Sequence, residues 1–154
     1  MMVRRILFVF LTAVASVLGG LAAAPAMADS VITSSFDTDV AHLGDTVTLH
    51  VTFTNPESVD VTFTYLTANQ TYISMQAGVR ATETGCTGEI SSCDHYTVPI
   101  APGATRTVTL TYEIATDSSC GEGRPLEFYF YNYRESSAGA VDLLAWSPAV
   151  TVLC

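Results

Sequence analysis

The sequence predicts an all-β protein, a sandwich of two antiparallel sheets. Residues 45–55 and 104–114 alternate apolar and small polar residues, the pattern of strands with one buried and one solvated face. Beyond residue 28, no segment repeats apolar residues at the i, i+3, i+4 and i+7 spacing of an amphipathic helix. Short runs rich in Thr, Val, Tyr and Phe are separated by Pro and Gly, which favours a sandwich over a parallel sheet covered by helices.

The chain begins with the composition of an export signal. Arg4 and Arg5 precede an apolar run over residues 6–18, and an Ala-Met-Ala tripeptide ending at Ala28 offers a cleavage site. The run is shorter than the roughly 20 apolar residues that a membrane-spanning helix needs. We therefore expect a signal peptide over the first 28 residues, bacterial secretion and no membrane insertion after cleavage. Residues 29–154 then form a single domain.

Eight strands follow from the alternation and from the β-branched and aromatic residues. They are predicted over residues 31–36, 45–54, 59–66, 71–76, 95–98, 105–115, 125–133 and 141–152. Asn-Pro-Glu-Ser at residues 55–58 predicts a tight hairpin turn between the second and third strands, and Ala-Pro-Gly-Ala at 101–104 predicts a turn before the sixth. Pro148 indicates that the last segment is an edge strand or is broken by a bulge.

Alternation also assigns the core. The apolar residues of the second, third and sixth strands are predicted to face inward: Val47, Leu49, Val51 and Phe53; Val61, Phe63 and Tyr65; Val108, Leu110, Tyr112 and Ile114. A one-residue slip of any of these strands would turn its apolar set toward solvent. The register is therefore the most consequential part of the fold prediction.

Four cysteines, Cys86, Cys93, Cys120 and Cys154, lie in the exported part. An even number of Cys in an exported domain indicates two disulfides, for which three connectivities are possible. The six residues between Cys86 and Cys93 have the length and composition of a segment that turns back on itself. We therefore predict the pairs Cys86–Cys93 and Cys120–Cys154. No pair has the C-x-x-C spacing typical of a zinc site.

The exported part is strongly acidic. It keeps all 15 Asp and Glu, four of the six Arg and no Lys, so its net charge with neutral His is four minus fifteen, or −11. Phosphate backbones and anionic membranes repel such a surface, which argues against nucleic acid and against lipid as partners. A high net charge also favours solubility outside the cell.

The residues that could carry catalysis or hold a metal form no recognisable set. The three imidazoles are His42, His50 and His95, and no G-x-S-x-G motif accompanies them for a Ser-His-Asp triad. Asp94 adjoins His95, but neighbouring residues of a strand point to opposite faces. Three carboxylates could offer oxygen ligands to calcium, although they lack a Gly-punctuated ligand loop: Asp37, Asp39 and Asp45. We predict a protein without catalytic activity, cofactor or bound metal.

One predicted strand is aromatic on both sides. Alternation within residues 126–133 turns Leu126, Phe128 and Phe130 to one face and the ridge Tyr129, Tyr131 and Tyr133 to the other. Tyr and Trp combine rigid apolar area with a polar tip and are enriched where proteins bind partners. Trp146 joins the ridge if the last strand pairs with this one. The candidate binding face therefore comprises Tyr129, Tyr131, Tyr133 and Trp146, with outward Thr62 and Thr64 expected beside it.

Two alternatives give these side chains a structural role. The Tyr rings of a central strand can pack on cross-strand neighbours without binding anything. A single Trp is often buried in the core of a β-sandwich. Exposure of the Tyr ridge and of Trp146 separates these alternatives from a binding face.

Several motifs resemble those of bacterial extracellular immunoglobulin-like domains. They are Gly-Asp-Thr-Val-Thr at residues 44–48 with its Thr-alternating strand, Asn-Pro at 55–56, the Cys86 and Cys93 pair, and Ala-Pro-Gly at 101–103 before another Thr-alternating strand. Over residues 40–115 the chain resembles the conserved-repeat domain of unknown function eleven and the cell-adhesion-related domain of bacteria. The resemblance implies an immunoglobulin-like antiparallel β-sandwich of about seven to eight strands. It also implies a structural or adhesive role without catalysis.

These observations predict a secreted, non-catalytic binding or structural module. Its expected partner is an unknown protein or a cell-envelope polysaccharide at the cell surface or wall. A secreted small-molecule carrier or hydrolase inhibitor is the alternative, which requires a cleft. The sequence assigns no oligomeric state.

Overall fold

The computed structural model describes residues 31–154. These residues form twelve strands and one short helix. In chain order they are β1 Ile32–Phe36, β2 Val40–His42, β3 Thr46–Thr54, β4 Val61–Gln70, α1 Tyr72–Gln76, β5 Ala81–Gly88, β6 Ile90–Ser92, β7 His95–Tyr96, β8 Thr105–Ile114, β9 Pro125–Leu126, β10 Phe128–Ser136, β11 Gly139–Trp146 and β12 Val150–Leu153. The prediction of an all-β chain is confirmed.

The strands pack as two layers. One layer is an antiparallel sheet in the order β1-β3-β8-β5. The other combines the antiparallel sheet β11-β10-β4 with the sheet β2-β12-β9, in which β2 and β12 run parallel. Rings join the layers, because the Phe128 centroid lies 4.3 Å from that of Tyr112 and 6.2 Å from that of Phe36. The predicted class, an immunoglobulin-like antiparallel β-sandwich, is confirmed, but it has twelve strands where seven to eight were expected, because several short strands follow no apolar alternation.

The central strands β3 and β8 have the predicted register. Leu49 lies opposite Leu110 and Val51 opposite Val108, so the apolar sides of both strands form one surface. All eight predicted inward residues of the two strands are buried: Val47, Leu49, Val51, Phe53, Val108, Leu110, Tyr112 and Ile114. Full burial of a large aliphatic side chain contributes about 1.5–3 kcal/mol. This surface is the centre of the hydrophobic core.

The predicted register is wrong for most of β4. Val61 is buried as expected, but Phe63 is 38% exposed and Thr64 is buried. The pairing with β10 shifts at this point, because Phe63 lies opposite Glu135 whereas Val61 lies opposite Ser136. A bulge of this kind moves the following side chains to the other face of the strand. Phe63 and Tyr65 therefore point away from the core, and Thr64 points into it.

Residues 55–58 form a crossover between the layers rather than the predicted hairpin. The Asn55 side chain organises this corner. Its Nδ2 donates to the carbonyls of Val59 and Ile100 at 2.9 and 2.8 Å, and its Oδ1 accepts from the Glu57 amide at 2.9 Å. Because Asn55 is buried, these bonds satisfy backbone groups that water does not reach.

The turn predicted over residues 101–104 is present. The Ala104 amide donates to the Ala101 carbonyl at 2.9 Å. Gly103 has φ +71°, a conformation that glycine adopts without steric cost. This turn precedes β8 directly.

Two predicted strands have a different structure. Residues 71–76 contain the helix α1, whose N-cap Thr71 accepts a hydrogen bond from the Ser74 amide at 3.2 Å. The segment 141–152 is divided before Pro148 into β11 and β12, which belong to different sheets. β11 consequently lies at the free edge of its sheet.

Both predicted disulfides are confirmed, Cys86–Cys93 and Cys120–Cys154. The first joins β5 to the turn after β6, and the second joins the segment after β8 to the residue after β12. In the chain-entropy model the longer loop stabilises the fold by about 3.8 kcal/mol and the shorter one by about 2.5 kcal/mol. Two structural disulfides indicate folding in an oxidising compartment.

No helix within residues 31–154 is long and apolar enough to cross a membrane. The predicted signal peptide and its cleavage site after Ala28 lie outside the described residues. Secretion by that route stays a prediction.

Candidate functional site

The outer side of the sheet β11-β10-β4 carries a continuous set of aromatic side chains. Residues directly opposite each other on paired strands lie on the same side of a sheet. Tyr129 lies between Asn69 and Trp146, Tyr131 between Thr67 and Leu144, and Tyr133 between Tyr65 and Asp142. We call this surface the aromatic face; its rings and apolar members are Phe63, Tyr65, Tyr129, Tyr131, Tyr133, Leu144 and Trp146. The predicted pairing of the Tyr strand with the Trp strand is present.

The aromatic face is open to solvent. Trp146 is 65% exposed and Leu144 is 54% exposed. The three Tyr of β10 are half-buried, because β10 is the central strand and their rings pack against neighbours on the same face. The alternative of a core Trp is therefore wrong for this chain. Contiguous exposed apolar surface on a soluble domain is typical of interaction sites.

Edge-to-face contacts order the rings. The Tyr65 and Tyr131 centroids are 6.4 Å apart, and those of Phe63 and Tyr133 are 6.1 Å apart. His95, in β7 beside the free side of β4, contacts Phe63 at 5.5 Å and Tyr65 at 5.6 Å between centroids. Each such aromatic pair contributes about 0.5–1.5 kcal/mol beyond its buried area. These contacts therefore hold the rings in defined orientations.

Two phenol groups are fixed by carboxylates on the same face. The Tyr131 hydroxyl donates to Asp142 Oδ1 at 2.6 Å, and the Tyr133 hydroxyl donates to Glu135 Oε1 at 2.6 Å. These bonds raise the pKa of Tyr131 and of Tyr133, because each carboxylate stabilises the protonated phenol. Both carboxylates keep acceptor capacity toward solvent.

A Ser-Asp-His cluster lies at the border of the aromatic face, contrary to the expectation for Asp94 and His95. His95 Nδ1 lies 2.6 Å from Asp94 Oδ1 and 3.0 Å from Ser92 Oγ. Asp94 precedes β7 and lies in a turn, so strand alternation does not separate the two side chains. The hydrogen bond from Ser92, and then that from His95, lowers the pKa of Asp94. Both contacts use the same ring nitrogen, whereas a hydrolytic triad uses the two different ones.

The other imidazoles lie elsewhere and serve local contacts. His42 is exposed, and its amide donates to Asp45 Oδ2 at 2.8 Å. His50 is on the outer side of β3, where its Nδ1 lies 3.1 Å from Thr109 Oγ1. Neither of these contacts involves the aromatic face.

Two of the three carboxylates considered for calcium accept hydrogen bonds from backbone amides. Asp37 Oδ1 accepts from the Thr48 amide at 2.9 Å, and Asp45 is the acceptor for His42. Within residues 31–154 the one group of His, Cys, Asp and Glu side chains close enough to share an ion is Glu83 with Cys86 and Cys93. Those two sulfurs are joined in a disulfide.

The aromatic face carries negative charge and no cation. Its two carboxylates are Asp142 and Glu135, both exposed. Each of the four Arg in the described part of the chain is engaged elsewhere: Arg80 with Asp117, Arg106 with Glu89 at 3.7 Å, Arg124 with the Ala77 carbonyl at 2.9 Å and Arg134 with Glu57 at 3.0 Å. Arg134 is in β10, but it points into the sandwich and is buried.

Two depressions bear on the carrier alternative, and the first adjoins the aromatic face at Thr67 and Asn69. A cleft of about 190 Å³ between the layers is lined by Leu66, Glu83, Cys93, Asp94 and Leu110 among others. A second, of about 380 Å³, lies between residues 35–39 and 148–149. Pockets for drug-sized ligands have volumes of about 300–1,000 Å³. The carrier and inhibitor alternative stays a prediction.

The sequence analysis did not predict three members of the aromatic face: Phe63, Tyr65 and Leu144. Phe63 and Tyr65 were assigned to the core because strict alternation carries no signal of the bulge at Thr62. Thr64, expected beside the Tyr ridge, is buried, and its hydroxyl accepts from the Tyr96 amide at 3.0 Å. Leu144 could have been found, since it lies two residues before Trp146 on the same side of a strand.

No protein-family model matches the chain, and no curated protein does. Among solved structures, the sporulation control protein Spo0M from Bacillus subtilis is 13% identical with TM-score 0.44, and the match covers 80% of this chain and 49% of that one. A family 123 glycoside hydrolase from Clostridium perfringens is 10% identical over 79% of this chain and 28% of that one, with TM-score 0.40. A FixG-related protein from Vibrio parahaemolyticus is 10% identical over 76% and 94%, with TM-score 0.35.

This chain thus spans about half the length of Spo0M. At these identities and TM-scores the similarities carry no argument about function. The resemblance to bacterial extracellular immunoglobulin-like domains stays a prediction.

Proposed function

We propose that this chain is a secreted, non-catalytic binding module that engages a cell-surface or wall-associated partner through the aromatic face. The observation that carries the proposal is the exposure of Trp146 and Leu144 beside the Tyr ridge. Tyr and Trp are enriched among the interface residues that dominate binding energy. Their rings offer large contact area at a low cost in side-chain entropy.

The rigidity of the aromatic face supports the same proposal. Edge-to-face contacts and the two phenol–carboxylate bonds hold Tyr131 and Tyr133 in position. A preorganised surface loses less conformational entropy on binding than a flexible one, so more of the contact energy appears as affinity. A sheet face held by cross-strand pairs suits recognition without chemistry.

Secretion is supported by the predicted signal peptide and by the two disulfides. An acidic surface without Lys also suits a protein that must stay soluble outside the cell. The resemblance to adhesive bacterial domains agrees with a role at the cell surface.

The test is retention of the mature chain, starting at Asp29, on cell-envelope fractions. Trp146→Ala removes the most exposed ring of the aromatic face, and a second variant converts Tyr129, Tyr131 and Tyr133 to Ser. Loss of one dominant interface aromatic costs about 2 kcal/mol or more, which corresponds to about 30-fold weaker retention. Urea unfolding of each variant establishes that the fold persists.

Tyr72→Ser is the matched control, because Tyr72 is 69% exposed but belongs to α1, outside the aromatic face. The control should be retained like the wild type. Retention of Trp146→Ala and of the triple Ser variant at the wild-type level would refute the assignment of the site.

A further inference from the structure

We propose that the partner of the aromatic face is an extended protein segment that carries Arg at alternate positions. This inference rests on the proposed function and specifies the chemistry of the bound group. Guanidinium groups stack on the Tyr and Phe rings and pair with Asp142 and Glu135. A cell-envelope polysaccharide is the competing class of partner.

Charge complementarity selects a cation. Asp142 and Glu135 are exposed members of the aromatic face, and all four Arg of the described residues are engaged away from it. His95 at the border is paired with Asp94, whose Oδ1 lies 2.6 Å from His95 Nδ1. A cationic group arriving at this face therefore meets two carboxylates and no competing cation.

The rings supply the second half of the recognition. A cation above the face of Tyr or Phe is attracted by the ring quadrupole, and Arg is the commonest cation in such contacts. Tyr65 packs edge-to-face with Tyr131 and Phe63 with Tyr133, and the hydroxyls of Tyr131 and Tyr133 bind Asp142 and Glu135, so aromatic rings adjoin both carboxylates. A ring face next to a carboxylate binds a guanidinium by stacking and by charge together.

The spacing of the carboxylates fits an extended segment. Asp142 lies opposite Tyr133, and Glu135 is two residues further along β10, so the two acids are diagonal neighbours. Diagonal positions on paired strands are roughly 7–8 Å apart. Side chains on one side of an extended chain repeat every 6.6–6.8 Å or so, about the same interval. Arg residues at i and i+2 can therefore reach both carboxylates at once.

The probe is a ten-residue peptide of alternating Arg and Ser. The uncharged control is the same peptide with citrulline in place of Arg. Citrulline keeps the shape of the side chain and removes its charge. Trp146 is the only Trp of the chain, so its fluorescence reports occupancy of the aromatic face. The Arg peptide should shift this emission saturably and bind more weakly as salt is raised, whereas the citrulline peptide should leave the emission unchanged.

The variant is Asp142→Asn combined with Glu135→Gln. Both replacements keep an oxygen that accepts the phenol hydrogen bond, so the rings stay in place while two charges are lost. Two exposed charge contacts, each assisted by ring stacking, correspond to about a tenfold loss of affinity for the Arg peptide. The matched control is Glu113→Gln with Glu122→Gln, which removes two exposed carboxylates outside the aromatic face.

Three results would overturn the inference: no binding of the Arg peptide at low salt, equal binding of the citrulline peptide, or an equal loss of affinity in the control variant. Envelope retention separates this inference from the proposed function. Retention that depends on Trp146 but is unaffected by salt and by the Asp142 and Glu135 replacements indicates a neutral glycan, which overturns the Arg chemistry and leaves the binding face standing. Retention that is indifferent to Trp146 and to the Tyr ridge refutes the proposed function itself.

Discussion

An ion pair between the corner after β3 and the inner side of β10 should make Glu57 a sensitive position, because its partner Arg134 is buried. The Arg134 side chain is 8% exposed and that of Glu57 is 15% exposed, and Arg134 Nε donates to Glu57 Oε1 at 3.0 Å. Ser136 Oγ donates to the other oxygen of Glu57. Arg134 also lies 6.0 Å from the centroid of the Phe53 ring. The pair thus joins the corner after β3 to the inner side of β10.

Replacing Glu57 by Ala should destabilise the fold by about 3–5 kcal/mol, because it leaves the Arg134 cation buried without a counter-ion. Domains of this size have a free energy of unfolding of about 5–15 kcal/mol, so the loss is a large fraction. In the double variant Glu57→Ala, Arg134→Met no charge remains buried. We expect that variant to recover stability relative to Glu57→Ala alone.

Urea unfolding at pH 7 of the wild type, both single variants and the double variant measures the coupling between the two side chains. Arg106→Met with Glu89→Ala forms the matched cycle for a more exposed pair, for which about 0–1 kcal/mol is expected. A Glu57→Ala cost below about 1 kcal/mol would place the pair with ordinary surface ion pairs. Strict additivity of the two single variants would also contradict the reasoning.

Two further predictions concern the pH dependence of the Glu57 ion pair and the register of β4. The hydrogen bond from Ser136 and the charge of Arg134 lower the pKa of Glu57 from its ordinary value of 4.5. The ionised carboxylate therefore stabilises the fold above pH 4.5, and this stability is lost as the pH falls through the lowered pKa. The difference in unfolding midpoint between wild type and Glu57→Ala should consequently narrow between pH 7 and about pH 3. Leu49→Ala should cost about 2–5 kcal/mol because Leu49 is fully buried. Phe63→Ala should cost less, about 1–3 kcal/mol for its two ring contacts, because Phe63 is 38% exposed on the outer face. Equal unfolding midpoints for these two variants would contradict the register of β4.

The central strands could be predicted because their sequence and their environment agree. β3 and β8 have one face in the core and one in solvent over their full length, so a period of two appears without interruption. The disulfide pairs followed from cysteine number and from the short loop between Cys86 and Cys93. The two strands depend only on the local residue pattern, and the disulfide pairing depends only on the number of cysteines and the length of one loop.

The errors arise where tertiary contacts override the local pattern. β4 contains a one-residue bulge that reverses its faces, and residues 71–76 form a helix because Thr71 is buried and caps it. Asn55 is a residue type common in turns, yet here its side-chain amide donates hydrogen bonds that stabilise a crossover between the layers. β5 was not predicted because an edge strand rich in Thr and Gly has no apolar alternation.

The part of the candidate site on β10 could be predicted from the local residue pattern, whereas the parts on β4 and at Asp94 could not. The Tyr ridge is visible as a departure from alternation in β10, since both sides of that strand are aromatic over residues 128–131. The contribution of β4 depended on the bulge, and the contact between Asp94 and His95 depended on a turn. Neither has a signature in the order of residue types.

The free edge of β11 bears on self-association. An edge strand presents unpaired backbone groups that can pair with the same strand of another copy and lead to aggregation. Asp142 is the only charged residue in β11 and lies near its middle. Antiparallel pairing of two copies in a register centred on Asp142 would bring the two carboxylates together, and like charges across a strand pair are destabilising. The charge of Asp142 therefore disfavours edge-to-edge pairing of β11 between two copies.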